Sequence, residues 1–235
     1  VGRPARGSTT TEPLGSLVEE VLARLGLPPC RWAFPDVSVA DESGLLTTGG
    51  DLAPSTLVAA YASGIFPMPV GRRRRLGWWS PDPRGVLPPE DLVVSRSLRR
   101  SVRRYELRVD TDFVATMRQC GDPRRPHGWI TPDFLDAYAE LHRLGVAHSV
   151  EAWRDDVLVG GLYGISLGGF FAGESMFHRR TDASKAALVH LVNRLRESGV
   201  TLFDVQWTTP HLISLGALDV ARPEYLARLA DAVDA

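Results

Sequence analysis

Three polar side chains stand where apolar ones are expected. Glu174 lies inside F-F-A-G-E-S-M-F, the run from Phe170 to Phe177, and Asp204 and Gln206 lie inside V-T-L-F-D-V-Q-W, from Val200 to Trp207. A buried carboxylate without a cation, a donor or water is expensive, so Glu174 is either partnered in a site or turned to solvent on an edge strand. Asp204 and Gln206 are two apart on a strand, which sends both to one face, with Phe203, Val205 and Trp207 on the other. A carboxylate and an amide side by side can orient an amine and polarise its environment. The bland alternative is two polar residues on the wet face of an edge strand.

Other chemistries lack their residues. There is no P-loop, no G-x-G-x-x-G followed by a suitable acid, and no H-E-x-x-H. The six histidines are scattered without helix-face metal spacing, and no serine sits in a nucleophile elbow. Cys30 and Cys120 stand alone, with neither ligand spacing nor a disulfide pattern, which suits a reducing cytoplasm. Neither metal nor cofactor is expected.

The elements that must carry these residues can be placed from their patterns. Val157 to Ile165 and the run ending at Phe177, separated by Gly168-Gly169, predict an antiparallel hairpin in the middle of a sheet. Gly160, Gly161, Gly164 and Gly173 within it predict bulges or close approach of a ligand or second backbone. Ala147 to Arg154 and Val200 to Trp207 read as further strands. Helices are predicted from Leu14 to Leu25, from Ser55 (as cap) to Ser63, from Ser95 to Tyr105, after Thr131-Pro132-Asp133, from Ala183 to Arg196 behind Asp182, and from Pro223 to Ala232. Gly64 to Pro69 runs extended before its prolines. Arg72 to Arg75, beside Trp78 and Trp79, is either a solvated loop or a polyanion and base-stacking surface. The basic helix places Arg96, Arg99, Arg100, Arg103 and Arg104 along one stripe.

Global composition adds bounds. The 235 residues, 44% hydrophobic and 23% charged with a formal net charge of −1, describe an ordinary globular chain whose basic surface is local. No apolar run approaches a membrane span, and the first residues form no signal peptide, so a cytoplasmic protein is expected. The α/β (α+β) class follows, divided into a partly disordered extension over 1–29 with one short helix, a small N-terminal domain over 30–85, and a mixed-sheet domain over 86–235.

An ordered series of motifs is more specific. G-L-L-T-T-G-G-D-L from Gly44, Y-A-S-G-I-F-P from Tyr61, W-W-S-P-D-P-R from Trp78 and G-W-I-T from Gly128 are followed by E-A-W, V-G-G-L-Y-G, F-F-A-G-E-S-M-F and D-A-S-K between Glu151 and Lys185. F-D-V-Q from Phe203 and S-L-G-A from Ser214 close the series. Together they resemble the leucyl/phenylalanyl-tRNA–protein transferase family from about Phe34 to the C-terminus. The resemblance implies an acetyltransferase-like (GNAT-like) catalytic domain that moves leucine or phenylalanine, with methionine as a third candidate, from aminoacyl-tRNA to the α-amine of proteins bearing N-terminal arginine or lysine. It implies that the product is marked for N-end-rule degradation and that neither metal nor nucleotide cofactor takes part; a monomer is expected.

Carried onto this chain, the resemblance makes Gln206 the group that orients the amine and Asp204 the one that polarises Gln206. Glu174 holds the cationic end of the acceptor or its amine. Leu162, Phe171, Met176, Leu188, Leu195 and Phe203 line the amino-acid pocket, with Leu162 where relatives carry a more flexible Met. Trp129 stacks on the terminal adenine, with Tyr61 in the substrate site. Met68 stands where the family commonly carries an aromatic residue facing that adenine. Two rivals are a non-catalytic module that reads RNA ends or peptide N-termini, and an acetyl-CoA-dependent acetyltransferase. The latter would want a Gly-rich pyrophosphate loop where this chain has Arg179-Arg180-Thr181-Asp182.

Clustering of arginine in a neutral protein makes Arg96, Arg100, Arg103 and Arg104, assisted by Arg72 to Arg75, the expected tRNA-binding surface. Changing those four stripe arginines together to alanine is expected to weaken tRNA binding independently of sequence and to flatten its salt dependence by ~3 in log–log slope. Binding isotherms across a salt series check this, and an unchanged slope overturns it.

Overall fold

Two sheets carry the fold in this computed structural model, which describes residues 12–124 and 128–235. The elements in order are α1 (Glu12–Arg24), β1 (Leu45–Thr48), α2 (Pro54–Ala62), β2 (Phe66–Val70), β3 (Arg75–Trp79), β4 (Arg84–Val86), α3 (Arg96–Val102), β5 (Glu106–Val109) and α4 (Phe113–Cys120). There follow α5 (Pro132–Arg143), β6 (Ala147–Arg154), β7 (Val157–Leu167), β8 (Phe170–His178), α6 (Ala183–Glu197), β9 (Leu202–Gln206), α7 (Pro210–Ile213), β10 (Leu218–Val220) and α8 (Arg222–Asp234). A three-stranded sheet has the order β1-β3-β2, and a seven-stranded sheet the order β10-β4-β9-β8-β7-β6-β5. All pairings in the large sheet are antiparallel except β8 with β9, which are parallel and joined by the α6 crossover. The mixed α/β class with a small N-terminal domain is the one expected; that this region carries a sheet of its own was not.

Alternation along β7 sorts the core into two layers. Tyr163 and Ile165 pack with Phe113, Met117 and Tyr138 of α4 and α5, and with Tyr61, Tyr225 and Leu229 of α2 and α8. Leu162 joins Val150, Phe171, Leu188, Leu191, Leu195 and Phe203 beneath α6. Helices therefore cover both faces, and β8 is an interior strand, which excludes the edge-strand reading of Glu174. The α1 helix docks through Leu17, Val21 and Leu22, and Arg24 donates to the Val233 carbonyl at 3.0 Å. Of the segment expected to be disordered, Val1 to Pro13, residues 1–11 lie outside the described residues, and Glu12 and Pro13 already belong to α1.

Glycines in the central hairpin answer two different needs. At Gly160 an added Cβ would meet Ala183 Cβ at 2.5 Å, so the glycine lets the head of α6 lie directly on the sheet. At Gly164 it would meet the Ala172 carbonyl oxygen at 2.2 Å, beside a break in register: Tyr163 opposes Ser175 while Gly164 opposes Gly173. The residue skipped by that bulge is Glu174.

Several sequence expectations are corrected. Ser55 does not cap α2; Ala53 is the N-cap, and Asp51 Oδ1 accepts from the Ala53 N–H and the Thr56 hydroxyl instead. The basic helix is shorter than Ser95 to Tyr105, so Arg103 is its C-cap and Arg104 lies beyond it. Asp182 precedes α6 in a left-handed conformation, φ 64°, without capping it through its side chain. Trp78 is buried and donates to the Gly49 carbonyl, which removes it as a base-stacking surface. β5 and α4 were not anticipated. Among the described residues no helix is long and apolar enough to cross a membrane.

Candidate active site

The parallel strands β8 and β9 stay in register over only three pairs, Phe170–Ala172 against Leu202–Asp204, and then part. A cavity of about 230 Å³ fills the split. Leu162 from β7, Leu188 from α6, Met176 from β8 and Phe203 from β9 give it an apolar floor, while Glu174 and Gln206 stand on its walls. These six expected residues are brought together. Phe171 and Leu195 belong to the same buried cluster but do not line the cavity. Trp129 rests edge-on against Phe134 at 5.4 Å, half-buried; Met68 is half-buried on β2, its carbonyl accepting from Trp79. The arginines Arg96, Arg99, Arg100, Arg103 and Arg104 are all exposed.

Two irregularities aim the polar walls. The β8 bulge leaves Glu174 unpaired and turns it toward Tyr138, whose hydroxyl donates at 3.4 Å and is itself 2.5 Å from the Tyr61 hydroxyl. On β9, Gly85 opposes Gln206 while Val86 opposes Asp204, so Val205 is skipped, and Gln206 takes φ 59°. The left-handed turn breaks the strand's alternation and brings Gln206 onto the cavity, with its Nε2 toward Glu174 Oε1 at 3.5 Å. Burial pushes the Glu174 carboxyl up to about 8, against the hydrogen bonds of Tyr61 and Tyr138 and the attraction of Arg84, with repulsion from Asp204 adding to the rise. Burial, then the neighbouring Glu174, raises Tyr61 and Tyr138 well above the ordinary tyrosine range, so both stay neutral donors.

Asp204 does something different from what its position in the sequence suggested. It is fully buried, and its carboxylate accepts four hydrogen bonds: Arg84 Nε at 2.9 Å, Arg84 Nη2 at 2.6 Å, the Tyr225 hydroxyl at 2.9 Å and the Gln206 backbone N–H at 2.8 Å. Arg84, also buried, gives its remaining Nη1 to the Gly64 carbonyl and lies between the Phe66 and Tyr225 rings, its guanidinium carbon 4.8 and 4.5 Å from their centroids. Burial alone would lower Arg84, but the ion pair with Asp204 outweighs it and lifts the guanidinium above its usual range. The expected wet face is thus a saturated ion pair, and Asp204 reaches Gln206 through its backbone rather than its amide. Arg84, Tyr138 and Tyr225 escaped the sequence reading. An arginine that opens the apolar run Gly85-Val86-Leu87 was the available signal for the first of them.

Comparison with known proteins matches the sequence to a family. The family model for leucyl/phenylalanyl-tRNA protein transferase matches residues 86–230, and that for its N-terminal domain matches residues 50–82. The leucyl/phenylalanyl-tRNA–protein transferase of Aromatoleum aromaticum is 53% identical over 204 residues, 84% of this chain and 86% of its own. That of Anaeromyxobacter sp. (strain K) is 52% identical over 211 residues, covering 88% and 90%. Among solved structures, a GCN5-related N-acetyltransferase from Kribbella flavida aligns over 72% of this chain and 61% of its own at a TM-score of 0.39 and 14% identity, too distant to argue from. The chain belongs to the leucyl/phenylalanyl-tRNA–protein transferase family.

Stability should separate the two strand residues. Asp204→Ala strands a buried guanidinium and is expected to cost about 3–5 kcal/mol, whereas Gln206→Ala, which breaks one long hydrogen bond, should cost about 1 kcal/mol or less. Chemical denaturation of both variants checks the contrast, and equal midpoints would refute it. For Glu174 the carboxyl is raised on folding, so its contribution is fully present below its ordinary value near 4.5 and is lost as pH rises through about 8. Glu174→Gln, neutral throughout, is expected to gain on the parent by on the order of 10 °C in Tm between pH 5 and pH 9, since a carboxyl raised from 4.5 to about 8 is worth about 4–5 kcal/mol at roughly 2–4 °C per kcal/mol. Parallel melts with a pH-independent difference would count against the buried carboxyl.

Proposed function

We propose that the chain transfers leucine or phenylalanine from aminoacyl-tRNA to the α-amine of proteins that begin with arginine or lysine. The observation that carries this reading, in a member of this family, is one apolar cavity whose wall holds Glu174 and Gln206. Its floor of Leu162, Met176, Leu188 and Phe203 suits an unbranched or γ-branched acyl side chain, and Phe171 and Leu195 support that floor from behind. Trp129, Met68 and Tyr61 are assigned to the terminal adenosine, and Arg96, Arg100, Arg103 and Arg104 to the tRNA backbone. Residues 30–85 are taken as the N-terminal domain and 86–235 as the catalytic one. The enzyme acts as a cytoplasmic monomer, and its product enters N-end-rule degradation.

The ester is already activated, so catalysis amounts to placing the amine, handling one proton and steadying the tetrahedral oxyanion. With Nε2 of Gln206 directed at Glu174, its carbonyl oxygen is left to accept from the attacking amine and aim the nitrogen lone pair at the ester carbon. The carbon–nitrogen bond forms as the carbon–oxygen bond to the ribose breaks, and the amine proton ends on the ribose hydroxyl. An amide is a very weak base, so Gln206 orients rather than abstracts. Asp204 and Arg84 are positioning residues: they fix the backbone that presents Gln206. Glu174, on the wall of the same cavity, holds the cationic end of the acceptor or its amine.

The test is transfer of phenylalanine from phenylalanyl-tRNA to an Arg-initiated peptide under single turnover. The parent enzyme forms product, and Gln206→Ala lowers the rate by on the order of 10²-fold with tRNA affinity unchanged. Binding of both substrates without product would leave a recognition module, and an undiminished Gln206→Ala rate would remove Gln206 from the mechanism.

A further inference from the structure

A second cavity of about 200 Å³ adjoins the first, and His211 on α7 lines both. Its polar lining is Ser95, Ser97, Ser214, Asp182, Lys185 and His211. Lys185, in the first turn of α6, is the only lysine in the sequence, so the single ammonium of this arginine-rich protein stands here. Asp182 is not a free counter-charge: its Oδ1 accepts from Lys185 Nζ at 3.0 Å and its Oδ2 from the Ser101 hydroxyl at 2.9 Å. It spends one of the three ammonium donors and aims the other two. Burial first, then Lys185 and His178, holds the His211 imidazole below its ordinary range, and the field of Arg104 reaches Asp182.

The surroundings connect this cavity to the arginine helix. Ser95 caps α3 and Ser97 lies in its first turn, between the exposed Arg96 and Arg100. The Ser101–Asp182 bond and a 2.6 Å bond from the Tyr105 hydroxyl to the Thr181 carbonyl lock α3 to the head of α6. A strand with its acylated end in the first cavity and its charged stem on α3 therefore has this hollow between its two anchors.

We propose that the second cavity binds a backbone phosphate in the single-stranded acceptor end of the aminoacyl-tRNA, with Lys185 as the charged ligand and, as neutral donors, His211 and the one hydroxyl of the hydrogen-bonded Ser95–Ser97 pair that is not spent on the other. The inference rests on the reading above that aminoacyl-tRNA is the donor substrate. An ammonium with two spare donors, one free hydroxyl and an uncharged imidazole is a donor set that a phosphodiester takes in a recess, as distinct from the bidentate arginines that follow it over open surface.

Three donors test it: phenylalanyl-tRNA, phenylalanyl-cytidylyl-adenosine with one internucleotide phosphate, and phenylalanyl-adenosine with none. Lys185→Gln is expected to raise KM about tenfold for a phosphate-bearing donor, to leave kcat unchanged, and to leave phenylalanyl-adenosine within twofold. Lys185→Arg should restore most of the loss. Ser214→Asp, which keeps the Lys185–Asp182 pair and adds a negative charge to the cavity, should reproduce the pattern if Lys185→Gln folds poorly. The salt slope of tRNA binding should shrink by ~0.7, the value of one single-strand phosphate. A loss confined to the full tRNA supports a phosphate further along the strand. Equal losses with all three donors, or no loss with any, overturn the proposal. Failure of the parent enzyme to transfer from any donor would instead refute the function on which it rests.

Discussion

The buried pair of Arg84 and Asp204 is the constraint on which the rest of the structure leans. Removing two charges from water costs several kcal/mol per ion, and only near-perfect geometry with full hydrogen bonding returns it. Here both are met: a two-point ion pair, aromatic rings on either side of the guanidinium, the third guanidinium nitrogen on the Gly64 carbonyl, and the Tyr225 hydroxyl and Gln206 N–H on the carboxylate. The pair draws together segments far apart in the chain. Gly64 and Phe66 come from the N-terminal region, Arg84 from β4, Asp204 from β9 and Tyr225 from the last helix. The backbone of Gln206 joins them, so the network that closes the fold also holds the backbone of the residue at the site.

Polar outliers acquire their purpose from local disorder in an otherwise regular sheet. Glu174 and Gln206 each stand beside a skipped residue or are one, on the two strands that separate. A regular ladder would have sent Glu174 into pairing and Gln206 to the face of Asp204. Irregularity at these positions costs some hydrogen bonding, and the tyrosines, the ion pair and the head of α6 supply the contacts that hold it.

Much of this was legible in the residues. The β7–β8 hairpin announced itself through Gly168-Gly169 and its branched and aromatic runs, and the glycines within it marked the bulge and the close approach of α6. Helices with strong apolar periodicity, α1, α5, α6 and α8, were found within a few residues. What escaped was what long-range contacts decide. β5 is four residues of mixed polarity, held by pairing with β6 rather than by any pattern of its own. Alternation placed Asp204 and Gln206 on one face because nothing in F-D-V-Q signals a left-handed residue; that conformation accompanies a hydrogen bond to a carboxylate two residues earlier. Burial of Asp204 likewise depends on Arg84, 120 residues away.

The divergence of β8 and β9 separates two problems that many proteins must solve with the same residues. The apolar floor is Leu162 and Leu188, from β7 and α6, with Met176 and Phe203 from the parting strands, while the polar walls are the different residues Glu174 and Gln206. Because strand separation makes the space, its depth and width can be retuned by exchanging apolar side chains one at a time, with no change to the ladders or to the ion pair. Acyl preference is thereby free to drift among descendants of this scaffold, and the bond-forming apparatus need not be rebuilt each time.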